Sequence, residues 1–80
     1  MKIIKTETGS VYEFDEANKR ARRVEYAHDL RGDGEWQSLL VPGVPQVGES
    51  WSAFWKLDLP DGSVVTLRTT SPVTSIEAAS

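Results

Sequence analysis

The clearest alternation of apolar and polar side chains along the chain lies at residues 51–67. The same alternation resumes at Val65 and Leu67, after the sequence Pro60-Asp61-Gly62-Ser63. Asp-Gly between two alternating runs is typical of a β-hairpin, because the tight turns of hairpins require positive φ angles. The pattern therefore predicts a hairpin in which Val65 and Leu67 repeat the apolar face of the first strand. That face consists of residues at every second position: Trp51, Ala53, Trp55, Leu57 and Leu59.

Shorter β-like runs lie on both sides of this hairpin. Ile3 and Ile4 fall on opposite faces of the first run, and Tyr12 and Phe14 share one face of the second. Between the runs lie the glycine, proline, asparagine and aspartate residues that favour turns. Pro72 is expected to end a strand or mark a corner, because proline has no N–H to donate to a sheet. The short runs cover residues 2–7, 10–15, 36–41 and 73–76.

Residues 19–27, with the sequence KRARRVEYA, fit two different structures. Their alanine, arginine and glutamate content suits a helix. Val24 and Tyr26, however, alternate with charged residues as they would in a strand. We favour the strand, because the polar residues 15–19 would then connect it to the preceding run as a hairpin.

These segments amount to about six or seven short strands with a turn signal every eight to twelve residues or so, and no clear helix. Such spacing is typical of small all-β domains. We therefore predict an all-β fold, either a small antiparallel barrel or a two-sheet sandwich. Residues 1–80 are expected to form a single small β domain, with Tyr12, Trp36 and Trp55 as its core aromatic residues.

The composition removes several kinds of chemistry. The chain has no cysteine and one histidine, which excludes disulfides, thiolate zinc sites and a cysteine nucleophile. The histidine, His28, precedes Asp29 in a glycine-containing segment, where a solvated side chain is expected. We therefore expect no enzymatic activity and no catalytic, cofactor or metal site. The net charge of −3 also argues against general nucleic-acid binding.

Four basic residues lie close together in the ambiguous segment, and they could contact phosphate groups with a tyrosine nearby for stacking. In a strand, their side chains would divide between the two faces instead of forming one patch. Glu13, Asp15 and Glu16 would then face them across the hairpin and could pair with them. The paired hairpin is the favoured interpretation, and a nucleic-acid site is the alternative. The basic residues are Lys19, Arg20, Arg22 and Arg23.

Phe54 is the candidate that bears most directly on function. Alternation places it on the face opposite Trp55, among charged residues, so it is either exposed or covered by the loop at residues 42–50. An exposed aromatic side chain beside charges is a typical contact in protein interfaces. The predicted protein-binding residues are Phe54, Lys56, Asp58 and Trp51.

Several short motifs follow one another along nearly the whole chain. In this combination the chain resembles small uncharacterised proteins encoded by phages of actinobacteria, of the mycobacteriophage type. The resemblance implies a phage product made in a bacterial cytosol that acts by binding, and it implies no role for an individual residue. The motifs are T-x-T-G-S-x-Y-E-x-D at 6–15, R-x-R-R at 20–23, G-E-W at 34–36, V-G-E-S at 47–50 and T-S-P-V at 70–73.

The leading hypothesis is a phage-encoded protein-binding module that engages a host or phage protein, or a second copy of itself, through an exposed sheet face. The first alternative is a virion-associated structural protein of the capsid-decoration type. The second is a barrel that binds nucleic acid weakly. No apolar run approaches the ~20 residues of a membrane-spanning helix, and the N-terminal residues show no hydrophobic signal region. The expected location is therefore the host bacterial cytoplasm or the virion, without membrane contact.

Overall fold

The secondary structure is β throughout the part of the chain that the computed structural model describes, residues 1–26 and 34–78. None of these residues belongs to a helix long and apolar enough to cross a membrane. The strands are β1 (Lys2–Thr6), β2 (Val11–Asp15), β3 (Arg20–Glu25), β4 (Gln37–Pro42), β5 (Ser50–Leu59) and β6 (Gly62–Ala78).

The six strands form a closed barrel in which each strand pairs with its neighbours in the sequence. All pairings between strands are antiparallel, and β6 returns to pair with β1. The prediction of an all-β antiparallel fold is confirmed, and of its two architectures the barrel is the one observed. Residues 20–25 form a strand, so the helical alternative for that segment is wrong.

Strand β6 closes the barrel because it is long enough to serve two neighbours. Its 17 residues run without a break through Ser71-Pro72. The part up to and including Pro72 pairs with β5, and the part from Val73 onward pairs with β1. The expected strand end at Pro72 is therefore wrong: the strand continues, and Pro72 lies where it exchanges one partner for the other. The Pro72 carbonyl still takes part by accepting a hydrogen bond from the Glu7 N–H at 3.0 Å.

The predicted β5–β6 hairpin is present, with a different turn and a different second face. Leu59 pairs with Gly62, so two residues, Pro60 and Asp61, form the connection. Gly62 has a φ of 128°. The residue with positive φ therefore follows the two central residues of the turn, whereas the predicted turn has positive φ at a central residue. A connection with an even number of residues pairs each position of β5 with a β6 position of the opposite parity. Val65 and Leu67 consequently face outward, and the prediction that they extend the apolar face is wrong.

The core is built around a cluster of aromatic rings. Tyr12 lies edge-on to Trp51, with ring centroids 5.7 Å apart, and the ring of Phe14 lies 5.1 Å from that of Trp51. Trp55 lies 6.4 Å from Trp51. Small and aliphatic side chains fill most of the remaining interior, and the polar side chains of Thr6, Arg23 and Gln37 are buried as well, as expected for a barrel too narrow to hold a channel. The buried apolar residues are Ile4, Tyr12, Phe14, Ala21, Leu39, Trp51, Ala53, Trp55, Leu57 and Val73.

Trp36 does not belong to this core, contrary to the prediction. It precedes β4 and is half-buried on the outside of the barrel. The guanidinium groups of Arg20 and Arg22 lie over its ring, at 4.5 and 4.7 Å from the centroid. Trp36 therefore packs under the basic side chains of β3 instead of among the core aromatic residues.

Candidate binding surfaces

Four large apolar side chains are exposed together on the outside of β4, β5 and β6. Phe54 is 42% exposed, and its neighbours are between 50% and 57% exposed. Exposed apolar groups scattered singly are normal on a protein surface, whereas a contiguous group is typical of an interaction site. We call this surface the apolar face; it consists of Leu40, Phe54, Val65 and Leu67.

The strand register brings these residues together. Leu67 lies directly opposite Phe54, and Val65 lies directly opposite Lys56. Phe54, Val65 and Leu67 therefore project from the same side of the β5–β6 pair, together with Lys56. On the other side of β5, the register shifts between Leu39 and Val41. Leu40 lies at this irregularity and is half exposed. The apolar face is thus a product of three adjacent strands and not of one sequence motif.

Two charged side chains border the apolar face. Asp58 accepts a hydrogen bond from the Ser63 hydroxyl at 3.0 Å, which occupies one oxygen of its carboxylate. Lys56 is exposed, and its ammonium group makes no ion pair with any residue in the described ranges 1–26 and 34–78. Among the residues that the structure describes, Lys56 therefore has no ion-pair partner, and its positive charge lies beside Val65.

Three of the four residues predicted for protein binding lie on the outer surface, and Trp51 does not. Phe54, Lys56 and Asp58 are exposed on one side of β5. Trp51 is only 3% exposed, and its indole N–H donates a hydrogen bond to the Gly43 carbonyl at 2.9 Å. A side chain enclosed in this way cannot contact a partner, so Trp51 is removed from the predicted set.

Leu40, Val65 and Leu67 were absent from the predicted set, and a signal for two of them exists in the sequence. When an even number of residues connects the two strands of a hairpin, inward residues at odd positions in one strand pair with inward residues at even positions in the other. Since Trp55 is buried at an odd position, the inward positions of β6 are even, and Val65 and Leu67 must face outward. No comparable signal exists for Leu40, because it depends on a register shift against β5.

The basic cluster is divided and neutralised in the way that the paired-hairpin interpretation expected. Arg20 donates to Asp15 at 3.0 Å, and Arg22 donates to both oxygens of Glu13 at 3.0 and 3.1 Å. Arg23 projects toward the barrel interior and is 7% exposed, so it does not share a surface with them. Lys19 remains exposed at the hairpin turn. The four cations therefore do not form one phosphate-binding patch.

The two residues considered for catalysis, His28 and Asp29, lie outside the described residues. Among the residues that are described, no group of three or more histidine, cysteine, aspartate or glutamate side chains is placed to hold a metal ion.

Comparison with protein families, with curated proteins and with solved structures finds no significant match to this chain.

Proposed function

We propose that this chain is a small, phage-encoded protein-binding module that engages its partner through the apolar face. The observation that carries the proposal is the exposure of Phe54 next to Leu67 and Val65 on adjacent strands. An aromatic side chain surrounded by aliphatic ones buries a large apolar area when a partner covers it. A few residues supply most of the binding energy in a protein interface, and aromatic side chains are enriched there, so Phe54 is expected to be the main contact and the aliphatic residues around it to contribute less. The rigid barrel holds them in place before binding, which reduces the entropy lost on association.

The charge beside the apolar face indicates the chemistry of the partner. Lys56 carries a positive charge without an ion pair in the described part of the chain, and it flanks Val65 across the β5–β6 pair. A complementary surface would present an apolar strip bordered by a carboxylate, because charge complementarity steers association and fixes orientation. The resemblance to actinobacterial phage proteins supports a host or phage protein as the source of that surface. A capsid protein with this surface would correspond to the virion-associated alternative.

The nucleic-acid alternative is less well supported. Arg20 and Arg22 are already paired with carboxylates of the same hairpin, so binding phosphate would require those pairs to separate. Nucleic-acid binding of this kind is mainly electrostatic and strongest at low salt. We expect no retardation of DNA or RNA in a gel shift at low salt.

The test compares two valine substitutions, one on the apolar face and one away from it. Val65 is 54% exposed and Val44, in the loop between β4 and β5, is 75% exposed, so neither substitution should disturb the core. The wild-type protein would be immobilised and exposed to a phage-infected actinobacterial lysate. The proteins that it retains would be identified by mass spectrometry, and the binding partner would be purified. Its affinity would then be measured by titration calorimetry against the wild type and each variant.

We expect Phe54→Ser to weaken binding at least tenfold, Val65→Ser to weaken it several-fold and Val44→Ser to leave it unchanged. Lys56→Gln should weaken binding and reduce its dependence on salt. Equal effects of Val65→Ser and Val44→Ser would contradict the proposal. Light scattering tests whether the partner is a second copy of this chain. A dimer that Phe54→Ser dissociates would show that a second copy, and not a different protein, covers the apolar face.

A further inference from the structure

The first half of β6 has a neighbouring strand on one side only. It pairs with β5, and the pairing of β6 with β1 begins at Val73. Among the strands that the structure describes, β5 and β1 are the two that contact β6. The barrel closes through the second half of β6, so the first half keeps one edge without a strand beside it. We call this edge, along residues 63–69, the open edge.

Alternate residues of the open edge have backbone groups that β5 does not use. The Asp58 N–H donates to the Gln37 side chain at 3.1 Å, so it points toward β4, and Asp58 forms a non-hydrogen-bonded pair with Ser63 opposite it. Hydrogen-bonded and non-hydrogen-bonded pairs alternate along an antiparallel ladder. The N–H and C=O groups that point away from β5 are therefore those of Ser63, Val65, Leu67 and Thr69. No residue in the described ranges 1–26 and 34–78 forms a backbone hydrogen bond with them.

The open edge lacks most of the features that keep strand edges from pairing. Proteins protect such edges with proline, lysine, inward-pointing charges or β-bulges. Residues 63–69 include no proline, lysine or acidic residue, and the register shift of the β5–β6 ladder lies beyond them, between Ser50 and Ser52. Their one charged side chain, Arg68, lies over the Trp55 ring at 5.0 Å from its centroid. Pro60 and Pro72 lie on either side of the segment, so pairing is confined to a short stretch.

We propose that two copies of this chain pair through their open edges as antiparallel strands, related by a two-fold axis at Thr66. In this register Val65 lies opposite Leu67 of the second copy, and Ser63 lies opposite Thr69 of the second copy. Odd positions meet odd positions, so the N–H and C=O groups that β5 leaves unused in one copy face those of the other. The same contacts occur twice, as in other two-fold dimers.

The side chains of the open edge favour a second copy as the occupant. The proposed register places aliphatic side chains opposite aliphatic ones and hydroxyl groups opposite hydroxyl groups, and such cross-strand pairs stabilise antiparallel sheets. Arg68 lies opposite Val64 of the second copy, so no like charges oppose each other. A chain of 80 residues without cysteine has a small core and no disulfide, and association is one of the ways in which such small domains gain stability.

Edge pairing leaves the apolar face exposed and enlarges it. Val65 and Leu67 project outward from β6 in each copy, so the two apolar faces meet across the dimer axis. Phe54 lies on β5, one strand away from the open edge, and is not part of the pairing. The dimer therefore presents two adjoining copies of the surface assigned to a protein partner, and it forms whether or not that partner exists.

Light scattering after size-exclusion chromatography, over a range of protein concentrations, tests the pairing. We expect the wild type to form a dimer. Val65→Pro removes an N–H that points toward the second copy and that β5 does not use, so the barrel should still fold. It should weaken the dimer by roughly tenfold or more, because symmetry removes the hydrogen bond twice. Val65→Thr is the matched control: it keeps the N–H and the branched side chain, and it should remain dimeric.

Hydrogen exchange of the backbone amides, measured by NMR on the wild type, gives a second test. In the dimer the N–H groups of Val65 and Leu67 bond to the second copy, whereas those of Val64 and Thr66 bond to β5 in monomer and dimer alike. Raising the concentration through the dimer midpoint should slow exchange at Val65 and Leu67 by roughly tenfold or more, and change it less at Val64 and Thr66. If Val65→Pro does not fold, this measurement decides.

Four results would overturn the proposal. The first is a wild type that is monomeric at every concentration, and the second is exchange at Val65 and Leu67 that does not respond to concentration. The third is a dimer that Phe54→Ser dissociates and Val65→Pro leaves intact, which would place the contact on the apolar face. The fourth is slower exchange at Val65 and Leu67 only after another protein is added, which would assign the open edge to a strand of that protein.

Discussion

Asp15 is the residue whose ionisation is most clearly tied to the fold. Its carboxylate accepts hydrogen bonds from the Asn18 side chain at 2.9 Å and from the Arg20 guanidinium at 3.0 Å. These bonds, the one from Asn18 foremost, lower the pKa of Asp15 below its ordinary value of 3.8. A carboxyl group with a lowered pKa stabilises the folded state above its ordinary pKa. That contribution is lost as the pH falls through the folded-state value.

We therefore expect Asp15→Asn to lower the thermal midpoint at pH 7, and this difference to shrink as the pH falls below 3.8 and the wild-type carboxylate becomes protonated in the folded state. Thermal unfolding followed by circular dichroism between pH 7 and pH 2 measures this difference. Glu49→Gln is the matched control, because it makes the same carboxyl-to-amide change at an exposed residue, and it should change the thermal midpoint at pH 7 less than Asp15→Asn does. An unchanged gap between wild type and Asp15→Asn across the whole range would contradict the assignment.

Among the strand pairs, β3 and β4 have the shortest ladder that the described residues show. Their described ladder consists of two residue pairs, Arg20 with Ser38 and Ala21 with Gln37. Trp36 lies on the outside of this junction, and the guanidinium groups of Arg20 and Arg22 cover its ring. The stacked side chains add to the backbone hydrogen bonds on either side of this ladder, from the Leu39 N–H to the Lys19 carbonyl at 2.8 Å and from the Gly34 N–H to the Arg23 carbonyl at 2.9 Å.

Trp36→Ala should reduce the free energy of unfolding by about 1–2 kcal/mol, because two exposed cation–π contacts contribute roughly 0.5–1 kcal/mol each. Trp36→Phe should lose less, since a smaller ring remains under the arginines. Urea unfolding of both variants measures the effect, and a double-mutant cycle with Arg20→Gln isolates the stacking. A Trp36→Ala protein as stable as the wild type would show that the ring does not strengthen the junction.

The strands were predictable from the sequence because each depends on neighbouring residues. Alternation located β2 and the apolar face of β5, and the polar residues between 15 and 19 correctly favoured a hairpin over a helix. The face assignments failed where they depended on a partner strand: Val65 faces outward because of the turn length. The prediction of Trp36 as a core residue failed for a similar reason. Only the position of the neighbouring strand β3 shows that arginine side chains cover its ring on the outside of the barrel.

At the scale of the whole molecule, the choice between barrel and sandwich had no local signal. It depends on the pairing of β1 with β6, which joins Lys2 to Ala78, and no pattern within either strand specifies that partner. At Pro72 a local signal was present but misleading. Its missing N–H suggested a strand end, whereas its position at the exchange of partners is set by the closed barrel.

The closed barrel has one core to which strands from both halves of the chain contribute. We therefore expect unfolding in a single cooperative transition. Trp51 and Trp55 report on the core, and a Trp36→Phe background removes the surface signal from the fluorescence. In that background, the urea curves from tryptophan fluorescence and far-UV circular dichroism should coincide. Separate midpoints would show that part of the barrel unfolds on its own.

The exchange of partners along β6 has a consequence for how the chain acquires its structure during synthesis. The hairpins of β2–β3 and β5–β6 need only nearby residues, but β1 lacks its second neighbour until residues 73–78 leave the ribosome. Before that moment the nascent chain exposes two unpaired strand edges and the aromatic rings that will form the core. Closure between segments so distant in the sequence is entropically slow. The growing polypeptide is therefore most prone to aggregate while residues 73–78 of β6 have not yet left the ribosome.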